Sequence, residues 1–218
     1  MNNLSLSLVP SCGKVAMSTM PAELGEVFQG FFQEYSIIRV KWRLYKQLFG
    51  NTECIDLLNR NGAHGFGVVQ DVIIKDVILC ITRMMNTSKE AWGDPANLAT
   101  LLIDLVAHKQ TAFADKLKGI RDRIKPIVDG LGRWRDAQIS RNDYASFVAM
   151  KADIDALPPP NRQMVEDILS TMSEILDELQ AHYPGLEEQH EDVSHAGEFE
   201  ELVSHLRDFE ERRANPPH

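Results

Sequence analysis

Residues Arg133-Trp134-Arg135-Asp136-Ala137-Gln138-Ile139-Ser140-Arg141-Asn142-Asp143 bring three guanidiniums, a large aromatic and two carboxylates into about three helical turns. At about 100° per residue, Arg135 and Arg141 stand about 120° apart around a helix axis, so they can border one groove without touching. Two guanidiniums flanking a groove form an anion site, because each offers a planar fork of N–H donors suited to phosphate oxygens. Arg133, Trp134 and Asp136 are the neighbouring candidates for binding at such a groove, with Trp134 expected at its rim. The competing reading is structural: arginines collect near helix C-termini, where the macrodipole favours cations.

Other chemistries lack their residues. The chain carries no Gly-x-x-x-x-Gly-Lys phosphate loop, no Gly-x-Ser-x-Gly elbow and no Gly-x-Gly-x-x-Gly turn. Its three cysteines, Cys12, Cys54 and Cys80, are too widely spaced for a zinc knuckle. Cys54 and Cys80 fall in apolar helical patterns and read as buried free thiols of a reducing compartment. The seven histidines show no helical metal pattern, so neither metal nor cofactor is expected.

Charge is unevenly placed. The net charge of −9 divides into +3 over residues 1–165, with 20 Lys and Arg against 17 Asp and Glu, and −12 over residues 166–218, with 3 against 15. Within the first part, residues 116–141 hold 8 basic groups against 3 acids. A protein meeting polyanions over a broad face should be basic overall; this chain offers at most a local patch. The N-terminus lacks the basic start of a signal peptide and no stretch has the roughly 18 apolar residues of a membrane span, so a cytoplasmic protein without membrane contact is expected.

The elements that must position the arginine stretch are helical throughout. After a loose arm over 1–18, apolar residues Leu24, Phe28, Phe31, Tyr35, Ile38, Trp42, Tyr45 and Leu48 recur at three- and four-residue steps, and Gly50-Asn51 ends the run. A short helix over Thr52–Asn59 is expected to close at Asn61-Gly62, with a second long helix from about Gly65 to Met85. Thr87 to Pro95 reads as a polar turn region, and Asn97 caps the next helix, to His108. Thr111 to Val128 forms another, kinked or ended by Pro126. Asp129-Gly130-Leu131-Gly132 is the expected break before the arginine stretch. Tyr144–Leu157 is weakly helical and stops at Pro158-Pro159-Pro160. Asn161 then caps a strong amphipathic helix to about His182, and Glu198–Arg213 is the last.

Together these pieces resemble the AbiU-type branch of the HEPN superfamily, helical proteins linked to abortive phage infection. The resemblance rests on Tyr45-Lys46-Gln47-Leu48-Phe49 in the opening helix, Gln70-Asp71 through Ile81-Thr82-Arg83-Met84-Met85 in the second, Asn97-Leu98 opening the next, and the later Arg-x5 element. It implies an all-α, HEPN-like antiparallel helix bundle over 19–157, with an acidic C-terminal helical extension over 158–218. It also implies a homodimer whose motifs face each other across a cleft, and metal-independent RNA cleavage by attack of a 2′-hydroxyl on the adjacent phosphate. Arg135 matches the motif Arg, Asp136 the polar residue after it, and Asp143 the acidic residue that follows the motif His by two.

At the position of that His stands Arg141. A guanidinium stays protonated at physiological pH and cannot act as a general base, though it still binds phosphate. The expectation is therefore an RNA- or nucleotide-binding cleft, with endoribonuclease activity weak or absent. The alternative is a non-catalytic module that binds a protein partner, in which Asp136 and Asp143 neutralise the arginines and the acidic C-terminal region lies over the basic patch.

Overall fold

The computed structural model describes residues 20–86, 96–139, 160–184, 186 and 198–214. Among these residues there are seven helices and no strand: α1 (Ala22–Phe49), α2 (Thr52–Met84), α3 (Leu98–Ala107), α4 (Thr111–Asp122), α5 (Lys125–Ile139), α6 (Arg162–His182) and α7 (Glu198–Ala214). The chain forms two compact units, one of residues 1–37 and 78–190, the other of 38–77 and 191–218. The divisions fall inside α1 and α2, which both units share.

In the first unit, the three- and four-residue apolar spacing of α1 does what it predicts: Leu24, Phe28, Phe31 and Tyr35 are all buried. Ile78, Ile81, Met84 and Met85 of α2 join the same core, as do Leu98, Leu101 and Leu105 of α3. Asn97 caps α3 with a side-chain oxygen that accepts from the Ala99 N–H at 2.6 Å, while its Nδ2 donates to the Arg83 carbonyl at 2.5 Å. This side chain, wholly buried, therefore fixes the start of α3 to the end of α2. Helix α4 packs on α3 and α6, and α5 packs on α6. The buried face of α6 is Val165, Ile168, Met172, Ile175, Leu176 and Leu179, a heptad-like stripe opened by the cap from Asn161 to the Met164 N–H.

Two expected breaks fall elsewhere. The chain turns at Arg123-Ile124, ahead of Pro126, which sits in the first turn of α5, where its missing N–H has no helical partner to lose. Helix α5 then runs through Asp129-Gly130-Leu131-Gly132 without interruption. A helical glycine costs about 1 kcal/mol relative to alanine, but Ile124, Val128 and Leu131 are buried along one face, and their packing holds the helix across both glycines.

In the second unit, α1 ends at Phe49, and the backbone turns at Gly50 so close to the last helical turn that a Cβ there would lie 2.0 Å from the Lys46 carbonyl oxygen. Asn51 caps α2, accepting from the Cys54 N–H at 2.8 Å. The expected close at Asn61-Gly62 is where the helix breaks: α2 is two helical segments meeting at a kink at Gly62, the residue inside it with non-helical backbone angles. Trp42 stacks on Tyr45 with ring centres 4.9 Å apart, and Cys54, Leu57 and Leu58 close the core. Helix α7 contributes Val203 to this core and is fastened by its acids: Glu210 receives both Arg60 donors at 2.8–2.9 Å and Asn61 at 2.9 Å. Cys54 is buried as expected, whereas Cys80, in the first unit, is half-buried.

Candidate functional site

The C-terminal turn of α2 attracts cations for an elementary reason: the carbonyls there have no helical partners, and the macrodipole makes that end negative. Two arginines reach it. Arg121, on α4, is only 5% exposed and directs Nη2 to the Met85 carbonyl at 3.5 Å and Nη1 to Asp122 at 2.8 Å. Arg135, on α5, donates from Nη1 to the Thr82 hydroxyl at 3.2 Å. Thr82 is buried, and its own proton is directed to the Ile78 carbonyl at 2.8 Å and the Leu79 carbonyl at 3.1 Å. Its oxygen is thereby left as an acceptor aimed at Arg135.

The rest of the Arg135 fork is held by its sequence neighbour. Nε and Nη2 both donate to one Asp136 oxygen, at 2.8 and 2.5 Å, and the Asp136 side chain is 55% exposed while that of Arg135 is 26% exposed. The guanidinium is thus oriented by a buried hydroxyl on one side and faced by an exposed carboxylate on the other. A phosphate oxygen can take the place of the Asp136 carboxylate without disturbing the Thr82 contact. Arg133 is exposed two residues earlier, and Trp134 is half-buried between them. The structure therefore places Arg133, Trp134, Arg135 and Asp136 on the same end of α5. Arg141 and Asp143 lie outside the described residues, as does the segment Tyr144–Leu157.

The basic stretch that precedes this end is largely paired within the unit. Lys116 meets Glu178 at 2.5 Å, Arg123 meets Glu174, and Lys125 meets Asp129 at 2.6 Å. The acids of the C-terminal third that lie against this stretch, Glu174 and Glu178, come from α6. On α7, Glu210 pairs with Arg60 instead. Exposed pairs of this kind contribute about 0–1 kcal/mol each, so they neutralise the surface of α4 more than they stabilise it.

Histidines are engaged at other points. His108 approaches Glu23 at 4.0 Å. His182 stacks on Phe113 with ring centres 3.9 Å apart and contacts Gln110 at 3.1 Å. Gln110 also accepts from the Tyr183 hydroxyl at 2.6 Å, and burial pushes that hydroxyl above its usual range. His205 stands four residues after Glu201 on α7, 4.0 Å from it. A carboxylate four residues before a His also occurs at Asp104/His108, Glu178/His182 and Glu191/His195, so this helical spacing is present in the sequence after all.

Sequence reasoning missed Thr82. Its signal was available only in part: a Thr in the last turns of a helix commonly bonds back to the carbonyl four residues earlier, but nothing local says which arginine its oxygen will meet.

The fold and the oriented guanidinium define a class first: an all-α protein with an arginine of α5 seated on the C-terminal turn of a long second helix. A family model described as AbiU2, of the HEPN group, matches residues 21–206, and the chain belongs to that family. No curated protein and no solved structure gives a significant match.

Proposed function

We propose that this AbiU2-family HEPN protein serves abortive-infection phage defence by binding RNA or a nucleotide at the arginine end of α5, with cleavage weak or absent. The observation that carries this reading is the state of Arg135: fixed in direction by Thr82 and answered on its open side by an exposed carboxylate that a phosphate can replace. Arg133 and Arg141 add charge for phosphate oxygens, Trp134 offers an aromatic edge at the rim, and Asp143 follows at the distance the family motif sets. Arg141 in place of the motif His keeps affinity and removes the group that would move protons near neutral pH. The protein acts in the cytoplasm as a homodimer, by the habit of the family.

One experiment tests this. A pool of RNA is assayed for binding and cleavage with the wild type, the Arg135→Ala/Arg141→Ala double variant, and Arg141→His. Salt-sensitive binding that disappears in the double variant, with cleavage emerging only in Arg141→His, is the expected result. Absence of binding by the wild type at low salt sinks the reading.

A second reading, a protein-interaction module, is favoured by one observation. Val68 and Val72 of α2 are 53% and 58% exposed, one turn apart on the same helix face, with Val69 exposed beside them. Under that reading the arginines are ion-pair partners and the valines meet another chain.

A further inference from the structure

Within the second unit, residues 63–76 of α2 run for about 21 Å beyond the Gly62 kink, and none of them is buried. The stretch carries six large apolar side chains, Phe66, Val68, Val69, Val72, Ile73 and Ile74. Two glycines and five β-branched residues give it weak helix propensity, so its helical form depends on packing. On one side that packing is α1: Asp76 pairs with Lys41 at 2.5 Å, and Gln70 donates to the Tyr45 hydroxyl at 3.5 Å. The exposed Val68 and Val72 are turned about 120° away from that side. Gly65 lies two turns before Val72 on the same face, and a Cβ there would meet nothing within 4 Å. Along one edge of the face stand Asp71 and Lys75, bonded to each other at 2.7 Å, with side chains 56% and 38% exposed.

We propose that this face pairs with the same face of a second copy of the chain, antiparallel, about a two-fold axis at the level of Ile73. Asp71 and Lys75 lie symmetrically about residue 73, so that axis sets Asp71 of each copy opposite Lys75 of the other. The ion pair within one helix thereby gains two counterparts between helices, on the edge where antiparallel helices place their charges. Val72 meets its copy beside the axis, and Val68 continues the apolar strip one turn further out in each copy. Gly65, at the end of the strip, puts no side chain in the way of the approach. A partner with charge of a single sign would leave either the carboxylate or the ammonium of this edge facing its like, whereas a reversed copy matches both. About four turns of helix bury less than the roughly 800 Å² per partner of a standard interface, so the association depends on concentration. The proposal rests on the interaction reading of these valines and names their occupant; it is independent of anion binding at Arg135.

The test is sedimentation velocity of the full chain over a concentration series at low ionic strength, with the wild type, Asp71→Lys, Lys75→Asp and an equimolar mixture of the two variants. The wild type should form a dimer whose share rises with concentration. Each variant alone sets like charges across the interface and should associate about fivefold more weakly. The mixture restores opposite charges at both contacts and should associate as tightly as the wild type, a recovery that misfolding cannot mimic. Arg133→Ala/Arg135→Ala should associate as the wild type does. The proposal is overturned if the wild type stays monomeric, which leaves the valines to a different protein, or if the mixture associates no better than its components. It is equally overturned if the dimer is unaffected by either charge variant or disappears with Arg133 and Arg135. In those two cases the copies meet on another face, and the homodimer stands without this one.

Discussion

Arg135 illustrates how a residue chosen for its type acquires a direction. In sequence it is one of three arginines in a short stretch; in the structure its Nη1 donates to a buried threonine whose own proton is directed to the Ile78 carbonyl. Replacing Thr82 with valine keeps volume and burial and deletes the acceptor. The expected outcome is a threefold to tenfold loss of RNA or nucleotide affinity with a melting temperature close to wild type, read by titration and thermal denaturation of the same sample. A melting temperature that falls as far as affinity would assign Thr82 to packing alone. Asn97 makes the opposite case, a polar residue whose role is structural. Its two hydrogen bonds are buried, and Asn97→Ala leaves the Ala99 N–H and the Arg83 carbonyl without these partners. A loss of about 1–3 kcal/mol is expected, measured by denaturant unfolding.

Helix boundaries were set by collision and packing more than by propensity. At Gly50, alanine brings a Cβ against the Lys46 carbonyl, and a destabilisation of about 1–3 kcal/mol is expected from the forced backbone shift. Helix α5 shows why its neighbours were harder to place: glycines at 130 and 132 signal a break, yet the buried face of Val128 and Leu131 carries the helix through. Helix α7 is held by charge at an exposed site. The hydrogen bond from Arg60, with Asn61 beside it, holds the Glu210 carboxyl below its ordinary value. A lowered folded pKa means that this contribution is complete above the ordinary carboxylate range and is lost as pH falls through the lowered value. The amide protection factors of α7, which allow for the intrinsic slowing of exchange in acid, should therefore fall on acidification below about pH 4.5, the ordinary value for a glutamate. In Glu210→Gln they should already be lower at neutral pH, with a smaller acid response. Equal acid responses in both proteins would remove Glu210 from the account.

Over the molecule as a whole, a net charge of −9 must coexist with any polyanion site. Local pairing is how the basic stretch of α4 is neutralised: Glu174 and Glu178 of α6 face Arg123 and Lys116. Few cations are then left to meet phosphates, so RNA affinity should fall only modestly with salt. A log–log slope of about −1.5 to −2 is expected, as for two or three phosphate contacts on a single strand, measured by fluorescence anisotropy between low and physiological salt. A slope several times steeper would demand a broad basic face that the described pairing does not leave. The exposed valines at 68 and 72 make a separate demand: Val68→Ser/Val72→Ser should lower self-association in analytical ultracentrifugation if this face meets a second copy, and leave it unchanged otherwise.

The sequence by itself determined the helical class, because apolar residues three and four apart bury one face of a helix wherever they occur. Leu24 to Leu48 and Val165 to Leu179 are buried as their spacing requires. It also determined local caps, since Asn97 and Asn161 satisfy backbone donors only two or three residues away. That position 141 carries Arg, which cannot move a proton near neutral pH, is likewise a matter of residue identity alone. Only the tertiary structure decided what lies far apart in the chain. The separations of 53 positions between Thr82 and Arg135, and of 150 between Arg60 and Glu210, carry no periodic signal that they meet. Whether a glycine bends a helix, as Gly62 does, or is carried through, as Gly130 is, depends on what packs around it. Periodicity reports which face is buried, and only packing reports against what.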